Sequence, residues 1–342
     1  MSDTTATPRD LDVFLSGLLF FDLVFTGFDR PPAPGTEVWT AGMGSGPGGI
    51  ANFAVGLSRL GLRTSLAAAF GTDVYGTYCW DVLTQEGIDL SRSRRFPAWH
   101  SPVTVSLAYA QDRAMITHGH EPPVPVGRLA GCPPPSRATV AHLGTGTAEW
   151  VRRAHAAGSL VFAGVGWDPS QEWDPLLLEQ LACCHAFLPN CVEAMRYTRT
   201  STPEAALDAL ARLVPIAVIT CGADGVLATD RTTGESARVP ALRVDDAMDA
   251  TGAGDVFGAG FVAATLAGWP LDRRLRFANL VAGLSLHHFG GALAAPGWAE
   301  IARWRQENPR EDYAFLDDVL PSAEPGRVRR GPVTIGFDVG AV

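Results

Sequence analysis

Four short apolar runs, Thr139 to Leu143, Leu160 to Phe162, Ala186 to Leu188 and Ala217 to Thr220, recur along the second half of the chain with helical patterns between them. Strands too short to cross a sheet twice, each followed by a helix, bury both faces of a parallel sheet. That alternation predicts an α/β fold with a doubly wound, mostly parallel central sheet flanked by helices. Upstream, Val13 to Phe25 reads as one strand broken by Pro31 to Gly35, and Glu37 to Ala41 as a short strand. The glycine-rich run Gly42 to Gly49 then opens a helix at Ile50 to Leu60. Thr64 to Phe70 reads as a core strand and Tyr75 to Glu86 as a helix. Val103 to Tyr109 alternates, with Val103, Val105, Leu107 and Tyr109 on one face, and so predicts a one-side-buried antiparallel strand.

At 342 residues with 46% hydrophobic and 18% charged residues, the chain has enough apolar sequence for a large core. The net charge of −9 argues against a nucleic-acid or anionic-membrane partner. All 27 basic residues are arginine, which excludes any mechanism that needs a phosphate-binding or Schiff-base lysine. Six cysteines without a C-x-x-C pattern suit reduced thiols in the cytoplasm. Adjacent Cys183 and Cys184 do not readily direct both thiolates to one ion. The apolar run from Leu11 contains Asp22 and is too short to span a bilayer.

The sharpest chemical signal is Asp249-Ala250-Thr251-Gly252-Ala253-Gly254-Asp255. Small residues lead into a helix that carries Asp255 in its first turn. The peptide N–H groups of Gly252, Ala253 and Gly254 then sit at the positive end of the helix dipole, where an anion is held without any cationic side chain. A carboxylate repels a phosphate in simple binding, yet suits a base that deprotonates a hydroxyl attacking that phosphate. The competing reading is an acidic residue that stabilises the helix start.

Other motifs are weaker alone. Gly44 to Gly49 fits G-x-G-x-x-G, but lies too far from the first strand and contains Pro47, which lacks an N–H. Gly48 and Gly49 let backbone approach a ligand, and Asn52 adds a donor and an acceptor suited to a polyhydroxylated substrate. Asp22, at the C-terminal part of the first strand, needs partners that sugar hydroxyls supply, or else backbone N–H groups. Asn190 and Glu193, at i and i+3, could order hydrated Mg²⁺ or form a capping box. Thr220 to Gly225 reads as a tight turn.

Taken in order, Gly48-Gly49-Ile50-Ala51-Asn52, Asn190-Cys191-Val192-Glu193, Thr220-Cys221-Gly222-Ala223-Asp224-Gly225 and Asp249 to Asp255 resemble the ribokinase, or PfkB-type, family of carbohydrate kinases over residues 12 to 305. Phe277-Ala278-Asn279 and Gly290-Gly291-Ala292 resemble its C-terminal nucleotide segment. The resemblance implies a large domain of 1–27, 44–98 and 122–321 and a β-lid of 28–43 and 99–121, leaving a tail of 322–342. It implies Asp255 as base, with Gly252, Ala253 and Gly254 as anion hole. Asn190, Glu193, Thr220, Gly222, Gly225 and Asn279 would serve Mg²⁺-ATP, with Glu193 reaching Mg²⁺ through water. Asp22, Gly48, Gly49 and Asn52 would bind the acceptor, and Asp249 and Thr251 match a monovalent-cation site for K⁺. A homodimer through the lid is compatible with the alternating strand. The expected activity is phosphoryl transfer to a small sugar. A nucleoside kinase, with Trp39 or Trp99 stacking on the base, and a non-catalytic ligand-binding protein are the alternatives. The segments Leu19 to Asp22 and Asp168 to Glu172 depart from the family's usual substrate motifs.

Overall fold

The computed structural model describes residues 11–28, 31–109, 112–144, 146–168, 170–245, 247–289 and 291–320. The chain runs through β1 (Leu11–Ser16), β2 (Leu19–Phe28), β3 (Gly42–Gly49) and α1 (Ile50–Arg59). Next come β4 (Thr64–Ala67), β5 (Ala69–Gly71), α2 (Val74–Gln85), β6 (Arg94–Phe96), β7 (Val103–Tyr109) and β8 (Asp112–His118). The alternating part comprises α3 (Val126–Ala130), β9 (Ser136–His142), α4 (Ala148–Ala156), β10 (Leu160–Gly164), β11 (Ala186–Phe187), α5 (Cys191–Thr198), α6 (Pro203–Leu210) and β12 (Ile216–Thr220). β13 (Val226–Asp230), β14 (Glu235–Val239), α7 (Ala253–Leu266), α8 (Leu271–Ser285) and α9 (Trp298–Glu307) complete the described chain.

Eight strands form the main sheet in the order β14-β13-β12-β11-β10-β9-β1-β4. The pairs from β4 to β12 are parallel, and β13 and β14 close the edge antiparallel. Apolar side chains on both faces, among them Val13, Phe14, Phe162, Phe187 and Ile219, are fully or almost fully buried, as parallel strands covered by helices require. A second sheet, ordered β3-β2-β7-β8, stands apart from it, and β5 pairs with β6.

The structure corrects four readings of the N-terminal half. The run Val13 to Phe25 is two strands in two different sheets, not one. Apolar residues continue across the junction at Gly17, so periodicity gives no sign of it; Gly17 packs so tightly that a Cβ there would lie 2.9 Å from Ile50 Cβ. Residues 37–41 are not a strand, whereas the glycine run Gly42–Gly49 is one, paired antiparallel with β2. Thr64 to Phe70 divides into β4 and β5. In β7 the burial is the reverse of expectation: Thr104 and Ser106 are buried, while Val103, Val105 and Leu107 are only partly so. β7 also runs parallel to β2, and antiparallel only to β8. The polar face of the small sheet therefore turns inward. The suggested edge strand at Val333 to Val339, the tail 322–342 and Gly290 lie outside the described residues.

Helices α1 and α7 pack at close range. A Cβ on Gly56 would lie 2.8 Å from Ala259 Cβ, and one on Gly258 would lie 2.3 Å from the Phe53 ring. These small residues bring the first turns of the two helices together, and the candidate site begins there.

Candidate active site

Gly252 caps α7 in the left-handed conformation (φ 75°, ψ −1°), which glycine adopts without strain. A Cβ there would also sit 2.9 Å from the Asn52 side-chain amide. The turn places Asp255 in the first turn of the helix, as expected from the sequence. Asn52, 4% exposed and in the first turn of α1, donates from Nδ2 to Asp255 Oδ2 at 2.8 Å. Its own Oδ1 is buried and, among the described residues, has no hydrogen-bond partner, leaving an orphaned acceptor at the wall of the site. A Cβ on Gly254 would meet nothing within 4 Å, so the peptide face beside Asp255 opens into free space.

The small sheet supplies the opposite wall. Asp22 is buried at 5% exposure in β2, and not at the end of a main-sheet strand as the sequence suggested. Gly48 lies directly against it: a Cβ on Gly48 would fall 1.8 Å from Asp22 Oδ2. Burial, then the negative charges of Asp255 and Asp249, push the Asp22 carboxyl up to about 7, with Arg113 opposing the shift. A group poised there holds a proton or accepts hydroxyl hydrogen bonds as its surroundings change. Gly49 (φ 63°) turns β3 into α1, and a Cβ there would meet Leu18 O at 2.5 Å.

Asp249 and Thr251 are both buried ahead of the turn, and Asp249 Oδ1 accepts a bond from Thr251 N at 2.8 Å. Thr251 Oγ1 lies 3.4 Å from Ser106 Oγ of β7, which links the α7 turn to the inner face of the small sheet.

Asn190 and Glu193 form a full capping box at the start of α5: Glu193 N donates to Asn190 Oδ1 at 2.9 Å and Asn190 N to Glu193 Oε2 at 3.0 Å. Burial first, and the charge of Asp255 as well, push the Glu193 carboxyl up to about 7, while the bond from Asn190 N and His142 pull it down. The cap and a place beside the site are therefore both true of Glu193. Thr220, at the end of β12, bridges to Asn190. Past it, Gly222 (φ 55°) faces open space, whereas Gly225 (φ 90°) is pressed against the 239–241 turn, where a Cβ would lie 2.2 Å from Val239 O. Asn279 of α8 reaches the same turn and donates to Pro240 O at 2.9 Å. The sequence-selected residues thus fall into one group around Asp255 and a second around the 220–225 and 239–241 turns, with Glu193 between.

Two residues at the site escaped the sequence reading. His142, at the end of β9, puts Nε2 3.8 Å from Asp255 Oδ1 and packs edge-on to Phe53. Its place at the C-terminal end of a parallel strand was the available signal. Arg113 of β8 is the cation whose charge opposes the rise at Asp22. Of the tryptophans suggested for stacking, Trp39 is 88% exposed, and Trp99 donates from Nε1 to His120 O at 3.3 Å.

Residues 139–297 match the pfkB family carbohydrate kinase. The chain is 28% identical over 314 residues to a nucleoside kinase of Methanothermobacter thermautotrophicus, covering 88% of this chain and 99% of the relative. Its fold superposes with a TM-score of 0.71 on an Arabidopsis thaliana ribokinase complexed with ribose and ATP, at 20% identity over 86% of this chain and 98% of that one. The Methanocaldococcus jannaschii nucleoside kinase superposes with a TM-score of 0.66 at 19% identity, covering 87% and 99%. The matched segment, the near full-length relative and the two-sheet fold agree in supporting a ribokinase/PfkB-type kinase.

Proposed function

We propose that this protein transfers the γ-phosphoryl group of ATP to a hydroxyl of a small sugar, with Asp255 as the base. The observation that carries the reading is Asp255 held by Asn52 beside the open peptide face of Gly254. Asp255 takes the proton from the acceptor hydroxyl as its oxygen attacks the γ-phosphorus, and the bond to the bridging oxygen breaks to release ADP. The peptide N–H groups of Gly252, Ala253 and Gly254, at the α7 N-terminus, stabilise the charge on the transferred group. Such dipoles do in this lysine-free chain what a cationic side chain does elsewhere.

The orphaned Asn52 Oδ1, Gly48 laid against Asp22 and the inward Thr104 make a polar wall suited to a polyol. Asp22, Gly48, Gly49 and Asn52 are the acceptor contacts in this reading. Thr220, Gly222, Gly225 and Asn279 frame the nucleotide side, where Gly222 leaves open space. Asn190 and Glu193 fit a hydrated Mg²⁺, since the capping box engages Glu193 through Oε2. When bound, that ion neutralises phosphate charge. The buried Asp249 carboxylate, with Thr251, is the position for K⁺.

A nucleoside acceptor is the second reading, favoured by the 28% identical relative that bears that name. ADP release measured over pentoses, hexoses, keto-deoxy sugar acids and nucleosides separates the two; silence across the panel with intact ATP binding would count against both. The lid's outer face, with Leu23, Phe25, Val105, Leu107 and Ile116 in adjoining register, supports a homodimer, which sedimentation tests. A cytoplasmic location belongs to the same reading. Among the described residues no helix is long and apolar enough to cross a membrane.

A further inference from the structure

Three of the chain's eight histidines meet at one end of the small sheet. His100 precedes β7, His118 ends β8 and His120 follows it. One ring nitrogen from each lies within 4.8 Å of the other two. The ring centroids are 5.4, 5.1 and 5.5 Å apart. Three imidazoles on one tetrahedral ion, with metal–nitrogen bonds of about 2 Å, have centroids about 5 Å apart. The rings already stand at about that spacing. His118 and His120 are exposed, so rotation meets little packing resistance.

His100 carries a second feature of a ligand. Its Nδ1 lies 3.3 Å from the Ser101 carbonyl oxygen, which can only accept a hydrogen bond. The tautomer protonated at Nδ1 satisfies that contact and leaves the Nε2 lone pair available to a metal. The residue that follows His100 is anchored. Ser101 N donates to Asp73 Oδ2 at 2.6 Å, and Gly71 N donates to Ser101 Oγ at 2.9 Å, which joins this segment to the start of α2.

We propose that His100, His118 and His120 bind a divalent transition ion of the zinc class, fastening the end of β8 to the segment that leads into β7. Imidazole donors select zinc over magnesium or calcium, which take oxygen ligands. Three protein ligands leave a fourth position to water at this solvent-facing site. None of the three histidines is among the residues assigned to phosphoryl transfer, and the occupancy of this site does not depend on that assignment.

The test uses the full chain without a histidine tag, stripped with chelator. It is titrated with Zn²⁺ by calorimetry and with Co²⁺ by visible absorption, and its melting temperature is followed with and without Zn²⁺. One ion per chain, a tetrahedral Co²⁺ spectrum and a Zn²⁺-dependent rise in Tm are expected. His118→Ala and His120→Asn should each weaken binding by at least about tenfold and abolish the rise in Tm. His155→Ala, on the exposed side of α4, should change neither. Equal metal-free melting temperatures would show that the variants fold. Binding that is absent, or that persists unchanged in both variants, overturns the proposal.

Discussion

The Asn52 side-chain amide donates to Asp255 Oδ2 at 2.8 Å, joining residues 203 positions apart in the chain. The bond exists because Gly56 and Gly258 let α1 and α7 approach until their first turns meet. Nδ2 orients the carboxylate while Oδ1 is left for another donor, such as an acceptor hydroxyl. Asn52→Ala removes both, so kcat should fall by about tenfold or more while ATP affinity is kept. Steady-state kinetics beside ATP titration measures this.

Asp22 should impose a pH dependence. Its folded value of about 7 lies above the ordinary carboxylate value of 3.8, so the folded state binds the extra proton between them. Stability therefore falls as pH rises from about 4 to about 7, by at most about 1.4 kcal/mol per pH unit from this group. Asp22→Asn should flatten that part of the curve, as read from urea midpoints at several pH values. An unchanged slope would show that Asp22 does not carry the proton.

Gly48→Ala places a Cβ on the Asp22 carboxylate. The carboxylate or β3 must shift, at a cost of about 1–3 kcal/mol. The acceptor KM should rise and ATP affinity should hold, which distinguishes a wall of the acceptor site from a general defect.

Gly225→Ala tests the other side. At φ 90°, and with Val239 O 2.2 Å from the new Cβ, the turn should lose about 1–3 kcal/mol. The KM for ATP should rise more than the KM for the acceptor. The reverse order would move the nucleotide elsewhere.

The sequence made the main sheet legible because parallel strands are continuous apolar runs, and it located Asp255 because small residues before a helix are a distinctive pattern. The small sheet was harder to see. β1 and β2 share one unbroken apolar run, and β3 is written in glycines, which ordinarily mark loops. One of them, Gly48, makes room for Asp22, a reason that exists only once the strands are paired. Thr104 and Ser106 are buried because their face turns inward, with Ser106 reaching Thr251, so polarity there did not mark a solvent-facing side. His142 offered only its place at a strand end, because its importance comes from lying 3.8 Å from a carboxylate 113 positions further along.

The most direct test of the central claim is single-turnover phosphoryl transfer by Asp255→Asn beside the wild-type chain, at saturating ATP, with ATP affinity measured separately. The account predicts transfer slowed by about 10²–10⁴-fold with ATP affinity unchanged. Transfer within about tenfold of wild type would show that Asp255 is not the base.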